Sequence, residues 1–212
     1  MSRRPVSDAK AHTRLDPATR RAQIVEAAEG AFRGRDPNEV SFEDVADAAG
    51  VSRSLVYAYF GDRGGLIAAV YLHALEKLDH ELGRALDDRL PDEVRLRRIV
   101  RRYLVFARDN QASWKLMTAM GVLQHPAIQG AREARIDRIA RAWGTTPTNR
   151  LVARSVVGFL EAGAQHWVDH RDCGLDRATK VLHGLIWDGI TGLREQGLAA
   201  PSRPRTVLPT GA

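Results

Sequence analysis

The chemistry legible first in this chain lies in fourteen residues, "GVSRSLVYAYFGDR", at positions 50–63. Arg53 carries a planar fork that donates two parallel hydrogen bonds, the geometry that guanine O6 and N7 accept. Ser54 donates or accepts through its hydroxyl, and Tyr57 offers a hydroxyl to phosphate and a ring to a thymine methyl. Rotation by about 100° per residue puts Leu55, Val56, Tyr59 and Phe60 toward one side and Ser54, Tyr57 and Ala58 toward the other, with Arg53 between. A short rod with an apolar side and a polar, forked, aromatic side has the chemistry of nucleic-acid contact.

Such a rod needs elements that aim it. Ser52 stands where a side-chain oxygen caps the helix that starts at Arg53. Upstream, Ser41 followed by Asp44 has the S-x-x-D form of a capping box and starts a helix over 42–49 whose Val45, Ala46 and Ala49 point inward. Gly50 supplies the left-handed backbone that a tight helix exit requires. Two short helices joined by about three residues that include glycine form a helix-turn-helix, whose second helix can enter the DNA major groove. Counting from Phe42, the small Ala46 is fifth, where the helices cross; Gly50 is ninth, at the turn; Val56 is fifteenth and plugs the second helix into the core. A preceding helix presents Ile24, Ala27, Ala28, Ala31 and Phe32 on one face as the surface for this packing.

With these residues in place, the chain resembles the TetR family of bacterial transcriptional regulators. The match runs from about Arg20 to Tyr71 through "IVEAAEGAF", "SFEDVADAAGVSRSLVYAYF" and "DRGGL". The resemblance implies that Ser52, Arg53, Ser54 and Tyr57 face the groove, that Tyr59 replaces a phosphate-binding histidine, and that Arg63 replaces a phosphate-binding lysine opening the fourth helix. Ser41 is grouped with these DNA-contacting residues. The resemblance also implies a mostly helical C-terminal domain that binds a small molecule and dimerises. The chain departs from the pattern at Leu55, where a small or hydroxyl residue is common, at Ala58, where an aromatic is, and at Gly64-Gly65, where acidic residues usually begin the fourth helix. Two glycines in a first turn cost up to about 1 kcal/mol each relative to alanine. They predict a loosely held link between the domains, with backbone amides free of nearby carboxylates and open to phosphate.

The whole chain reads as all-α, because β-branched residues never alternate with polar ones over a strand length and hairpin signals are missing. The pattern predicts helices over about 17–34, 42–49, 53–60, 63–84, 91–109, 111–123, 126–143, 147–170 and 175–196. The expected organisation is a basic disordered arm over 1–16, a helix-turn-helix domain over 17–63, a helical effector-binding and dimerisation domain over 64–198, and a proline-rich disordered tail over 199–212. Residues 1–21 hold six Lys and Arg against two Asp, while residues 22–63 hold four Arg against eight acidic residues. Attraction to DNA therefore has to come from the arm and a few placed arginines, since the net charge of +6 is not concentrated on the helix-turn-helix.

In the larger part, Tyr103, Phe106, Trp114, Met117, Met120, Phe159 and Trp167 concentrate large adaptable side chains and are the candidate pocket, suited to an apolar or amphipathic effector. The last two helices carry wide apolar stripes, from which Val156, Leu160, Leu182, Leu185, Ile186 and Ile190 are expected at a four-helix homodimer interface. The helix around "RLRRIVRRYLVFARDN" turns Arg95, Arg98, Arg101 and Arg102 away from its apolar face; a solvated surface, a second DNA contact and an anionic ligand remain open for them. His166, His170 and Cys173 stand at i, i+4 and i+7, yet they lack the glutamate of an H-E-x-x-H site, and histidines near a helix C-terminus suit its dipole, so no metal is expected.

No cofactor is expected either: G-x-S-x-G, Walker and G-x-G-x-x-G motifs are missing, which argues against an enzyme. No stretch approaches the roughly 20 apolar residues that cross a bilayer, and the basic start has no apolar run behind it, so a cytoplasmic protein is expected. The lone Cys173 forms no internal disulfide. The expectation is a repressor that an effector releases from a palindromic double-stranded DNA operator; a small-molecule carrier without duplex binding is the alternative.

Overall fold

Six of the nine helices among the described residues begin on a side-chain cap. In the computed structural model, which describes residues 16–36, 39–84, 89–119, 124–144 and 146–198, α1 (Pro17–Ala31) starts with Asp16 accepting from the amides of Ala18 and Thr19, both at 3.0 Å. The expected tail over 199–212, Met120, and all of the expected arm except Asp16 lie outside the described residues. α2 (Phe42–Ala49) opens on the complete capping box of Ser41 and Asp44 and closes on Gly50, whose φ of 63° and ψ of 38° are left-handed. Ser52 caps α3 (Arg53–Phe60), its hydroxyl accepting from the Leu55 amide at 3.3 Å. α4 (Arg63–Gly83) is capped by Asp62, α7 (Pro126–Trp143) by the His125 ring and α8 (Pro147–His170) by Thr146; the last two have proline in their first turn, where its missing N–H costs nothing. α5 (Asp92–Asp109), α6 (Gln111–Thr118) and α9 (Leu175–Glu195) complete the helices among the described residues.

Two ends fall short of their expected positions by more than one residue. α1 stops at Ala31 instead of 34 because the chain turns through Gly34 at a φ of 76°, and α6 stops at Thr118, before 120–123, which lie outside the described residues.

α4 is the central member, packing against α1, α3, α5, α6 and α7, and the helix-turn-helix therefore rests on the same helix that runs into the larger part. One continuous apolar core extends from Ile24 in α1 to Ile190 in α9, with a smaller cluster of Ile136, Ala140, Ala153 and Val157 between α7 and α8.

The link after α3 differs from the sequence expectation. A Cβ on Gly65 would lie 2.1 Å from the Phe60 carbonyl oxygen, so glycine is required by close backbone approach. Its amide is also occupied, donating to Asp62 Oδ1 at 2.8 Å. The two glycines thus mark a tight, carboxylate-capped joint instead of a loose turn with open amides.

The apolar stripes of α8 and α9 are also redistributed. Leu160, Leu182, Ile186 and Ile190 are buried in the chain's own core and Val156 is half-buried, which leaves Leu185, at 60% exposure, as the outward member of the expected six. Leu182 holds α9 against α8 where Gly163 lacks a side chain: a Cβ there would meet Leu182 Cδ2 at 2.7 Å. The apolar surface that stays exposed on these helices is Leu151 and Phe159 on α8 and Val181 and Leu185 on α9.

Candidate nucleic-acid interface

α3 is anchored by Val56, fully buried, and Phe60, also in the core. That anchoring sends Arg53, Ser54 and Tyr57 outward, and Tyr57 is 44% exposed. Two contacts fix its ring. Phe42 of α2 meets it edge-on with centroids 4.3 Å apart, and the Arg53 guanidinium lies 5.5 Å from its centroid while Nη2 donates to the tyrosine hydroxyl at 3.3 Å. Arg53 and Tyr57 thus form a pre-set i, i+4 pair on the outer face, where an aromatic plane orients a guanidinium that is otherwise free to sweep many rotamers. The tyrosine hydroxyl bond pushes the guanidinium pKa further up.

The serines have different duties. Ser54 is exposed, its hydroxyl 3.0 Å from that of Ser52, which also caps the helix. Ser41 is half-buried and closed off: its hydroxyl and its amide both donate to Asp44 Oδ2 at 2.7 Å, so the structure makes it a cap residue, with no amide left for a phosphate. The Ser41 hydroxyl and amide, aided by Arg35, hold the Asp44 carboxyl down at about 2. Tyr59 is half-buried against the core beside Phe60, and Arg63 is exposed at the start of α4.

The expected pocket residues fall in two groups. Tyr103, Phe106, Trp114, Met117 and Trp167 are buried, whereas Phe159 is 38% exposed on the outer side of α8 and Met120 lies outside the described residues. Phe159 belongs with the exposed α8–α9 surface, one turn before Gly163, where Leu182 of α9 packs against α8. Tyr103 and Trp114 meet edge to face at 5.5 Å, and the tyrosine hydroxyl and the indole N–H are both buried without a hydrogen-bond partner among the described residues. Burial pushes the Tyr103 hydroxyl pKa up. Trp167 is different: its N–H donates to the Cys173 carbonyl at 2.8 Å and closes the end of α8.

Beside these rings runs a polar seam that apolar periodicity does not reveal. Arg132 donates to the Tyr71 hydroxyl at 3.1 Å and to Glu161 at 2.7 Å, while Arg135 and Arg138 share Asp79 at 2.9 and 2.8 Å. Burial alone lowers the Arg132 pKa, yet its bonds to Glu161 and Tyr71 outweigh that and raise it. A second polar contact joins the two parts of the molecule. Glu29 of α1 accepts from Lys77 of α4 at 2.6 Å and from the Ser113 hydroxyl of α6. Burial raises the Glu29 pKa, but these donors hold it below the ordinary carboxylate value. The only sequence signal for either cluster is charged residues placed at core-facing helical positions.

Arg95 also departs from expectation: it is buried and paired with Asp92, leaving Arg98, Arg101 and Arg102 on the outer face. His166 and His170 stack at 4.3 Å, with His166 Nε2 3.5 Å from Asp172 and Cys173 half-buried beyond the helix end. Among the described residues no group of three His, Cys, Asp or Glu is placed to hold a metal ion, and no helix is long and apolar enough to cross a membrane.

An outward α3 seated on a helix-turn-helix, continuous with a larger helical part, defines the class: a two-part, all-α DNA-binding regulator. Comparison with known proteins specifies it further. Residues 24–70 match the profile described as bacterial regulatory proteins of the tetR family, and residues 92–189 match the tetracyclin repressor-like C-terminal domain. The chain belongs to the TetR family of transcriptional regulators. It is 24% identical over 199 residues to the HTH-type transcriptional activator FasR of Mycolicibacterium smegmatis, covering 89% of this chain and 91% of that protein. Among solved structures, a TetR-like regulator from Rhodococcus sp. RHA1 is similar at a TM-score of 0.64 and 28% identity, with 84% of this chain and 100% of that one covered. A tetR-family regulator from Streptomyces coelicolor is similar at 0.66 and 26%, with 86% and 84% covered.

Proposed function

We propose that the protein is an effector-responsive repressor that acts in the cytoplasm as a homodimer on a palindromic operator. The observation that carries this reading is the outward Arg53–Tyr57 pair on a helix whose other face is locked into the core. Arg53 and Ser54 read base edges; Tyr57, Tyr59 and Arg63 engage the backbone. The subunits join through the apolar surface of Leu151, Phe159, Val181 and Leu185, with Val156 at its edge. Two recognition helices then stand about 34–36 Å apart and meet successive turns of one DNA face.

The effector binds in the larger part between Phe106, Met117 and Trp167, and its polar group pairs with the Tyr103 hydroxyl and the Trp114 indole N–H, two buried atoms that have no hydrogen-bond partner among the described residues. Its body is apolar and it carries at least one hydrogen-bonding group. The response travels by α6, where Ser113 binds Glu29 of α1 and the neighbouring Trp114 faces Tyr103: moving Trp114 disturbs the bond to the DNA-binding part. An effector releases DNA only by as much as its affinities for the two arrangements differ.

The test is fluorescence anisotropy with duplex DNA from upstream of the protein's own gene. Arg53→Ala should lower affinity and relax base preference, Tyr57→Phe should weaken binding across sequences, and reporter transcription should rise when the gene is deleted. Unchanged binding in both variants overturns the site; falling transcription on deletion overturns repression in favour of activation. Failure to bind any duplex, with small-molecule binding intact, identifies a carrier.

A further inference from the structure

The arginine-bearing face of α5 has a second element opposite it. Arg98, Arg101, Arg102 and Val105 recur at i, i+3, i+4 and i+7, a single stripe on the side away from Tyr103 and Leu104. Together with Arg84, at the end of α4, they line a cleft of about 330 Å3, within the range of small-molecule sites. Glu81 accepts from both Arg84 and Arg102 at 3.2 Å and so holds two guanidiniums toward one place, while Asp176 of α9 binds Arg101. Arg98 makes no ion pair among the described residues. Four guanidiniums therefore face two carboxylates around the opening; Asp87 and Asp88 lie outside the described residues.

We infer that this cleft is a binding site for a small phosphorylated metabolite, one that carries a pyrophosphate or a phosphate monoester with a compact organic part. A dianion balances the two guanidinium charges left after Glu81 and Asp176 among the described residues, forked donors match phosphate oxygens, and Val105 provides the apolar wall. Operator DNA is not the occupant. α4 opens at Arg63 beside the recognition helix and ends at Gly83, next to Arg84, and a helix of its 21 residues spans about 30 Å, so the cleft lies at the end remote from bound duplex. The site is separate from the aromatic core, which α5 faces with its other side, and it does not depend on the repressor reading.

The test is isothermal titration of the full chain with inorganic pyrophosphate at low ionic strength. The expected result is saturable one-to-one binding, about tenfold weaker in Arg98→Gln, the size of losing one charge-assisted hydrogen bond. Binding should be lost in Arg98→Gln combined with Arg102→Gln, and be unchanged in Arg97→Gln, an exposed arginine of α5 that does not line the cleft. Both altered residues are exposed, and identical melting of variants and parent confirms that folding is intact. The inference is overturned if the parent shows no saturable binding, or if Arg97→Gln weakens it as much as Arg98→Gln, which marks a diffuse positive field. It is equally overturned if the double variant loses affinity for non-specific duplex DNA while pyrophosphate does not bind the parent, which makes the cleft a DNA contact.

Discussion

Adjacent glycines at the start of α4 should respond to the same substitution with opposite signs. In Gly65→Ala the new Cβ would sit 2.1 Å from the Phe60 carbonyl oxygen, whereas even close carbon–oxygen contacts are about 3.3 Å, so the two backbones must separate by roughly 1 Å. Neither yields easily. The Phe60 carbonyl also accepts from Asp62, its ring is buried, and the Gly65 amide is tied to the Asp62 cap. Overpacking of this kind costs about 1–3 kcal/mol, against a helix-propensity gain of up to about 1 kcal/mol. A net loss of about 1–2 kcal/mol should lower Tm by roughly 2–4 °C for each kcal/mol in a chain of this size. In Gly64→Ala the Cβ would meet Asp62 Oδ1 at 3.2 Å and the His125 ring at 3.3 Å, both ends of side chains that can give by tenths of an ångström. There the propensity gain survives, and stability should be unchanged or higher by up to about 1 kcal/mol. Thermal melts by circular dichroism measure both. Because Phe60 ends the recognition helix, Gly65→Ala should also weaken DNA binding at temperatures where the chain is fully folded. Equal melting of the two variants would refute the close-approach argument.

Three further outcomes are expected. Tyr103→Phe removes a buried hydroxyl that has no partner among the described residues, and should stabilise the effector-free protein by about 1 kcal/mol; a lower Tm in a thermal melt would show that the hydroxyl is bonded. Leu185→Glu places a charge on the exposed α9 surface and should convert the dimer to a monomer in analytical ultracentrifugation without lowering the subunit's secondary structure, whereas a persistent dimer places the interface elsewhere. Asp44, held down from 3.8 to about 2, supports α2 as a carboxylate. A depressed folded-state pKa means that this support is complete above 3.8 and is lost as pH falls toward 2. Asp44→Asn should flatten the part of the acid-unfolding profile in that window, and an unaltered profile would count against the capping box.

The helix-turn-helix was legible because every device that builds it is local. Ser41 with Asp44, Gly50 and Ser52 act within three or four positions, and Val56 and Phe60 fall on the buried side by rotation alone. The α8 and α9 stripes show where that reasoning stops. Leu182, Ile186 and Ile190 face inward while Val181 and Leu185, one position earlier, face outward, although all five are equally apolar. Periodicity reports that a helix has an apolar side; when that side is wider than one contact, the neighbour decides which part is covered. Gly65 misled for a related reason. The atom that forbids its side chain is a backbone oxygen, identical in every residue type, so nothing in the sequence marks the approach.

The polar clusters extend the same limit to energetics. Glu29, Lys77 and Ser113 lie on three helices, and Ser113 is next to a tryptophan whose ring belongs to the aromatic core. Read separately they are ordinary helix residues. Brought together, they make a half-buried carboxylate depend on two donors from other elements, and removing a donor from such a group leaves a charge poorly solvated. The bond between the DNA-binding part and α6 is therefore sensitive to small displacements in a way that an apolar contact, which fades gradually with distance, is not. That sensitivity makes α6 suited to transmit a change at Trp114 to α1, and α1 packs directly against α2 of the helix-turn-helix.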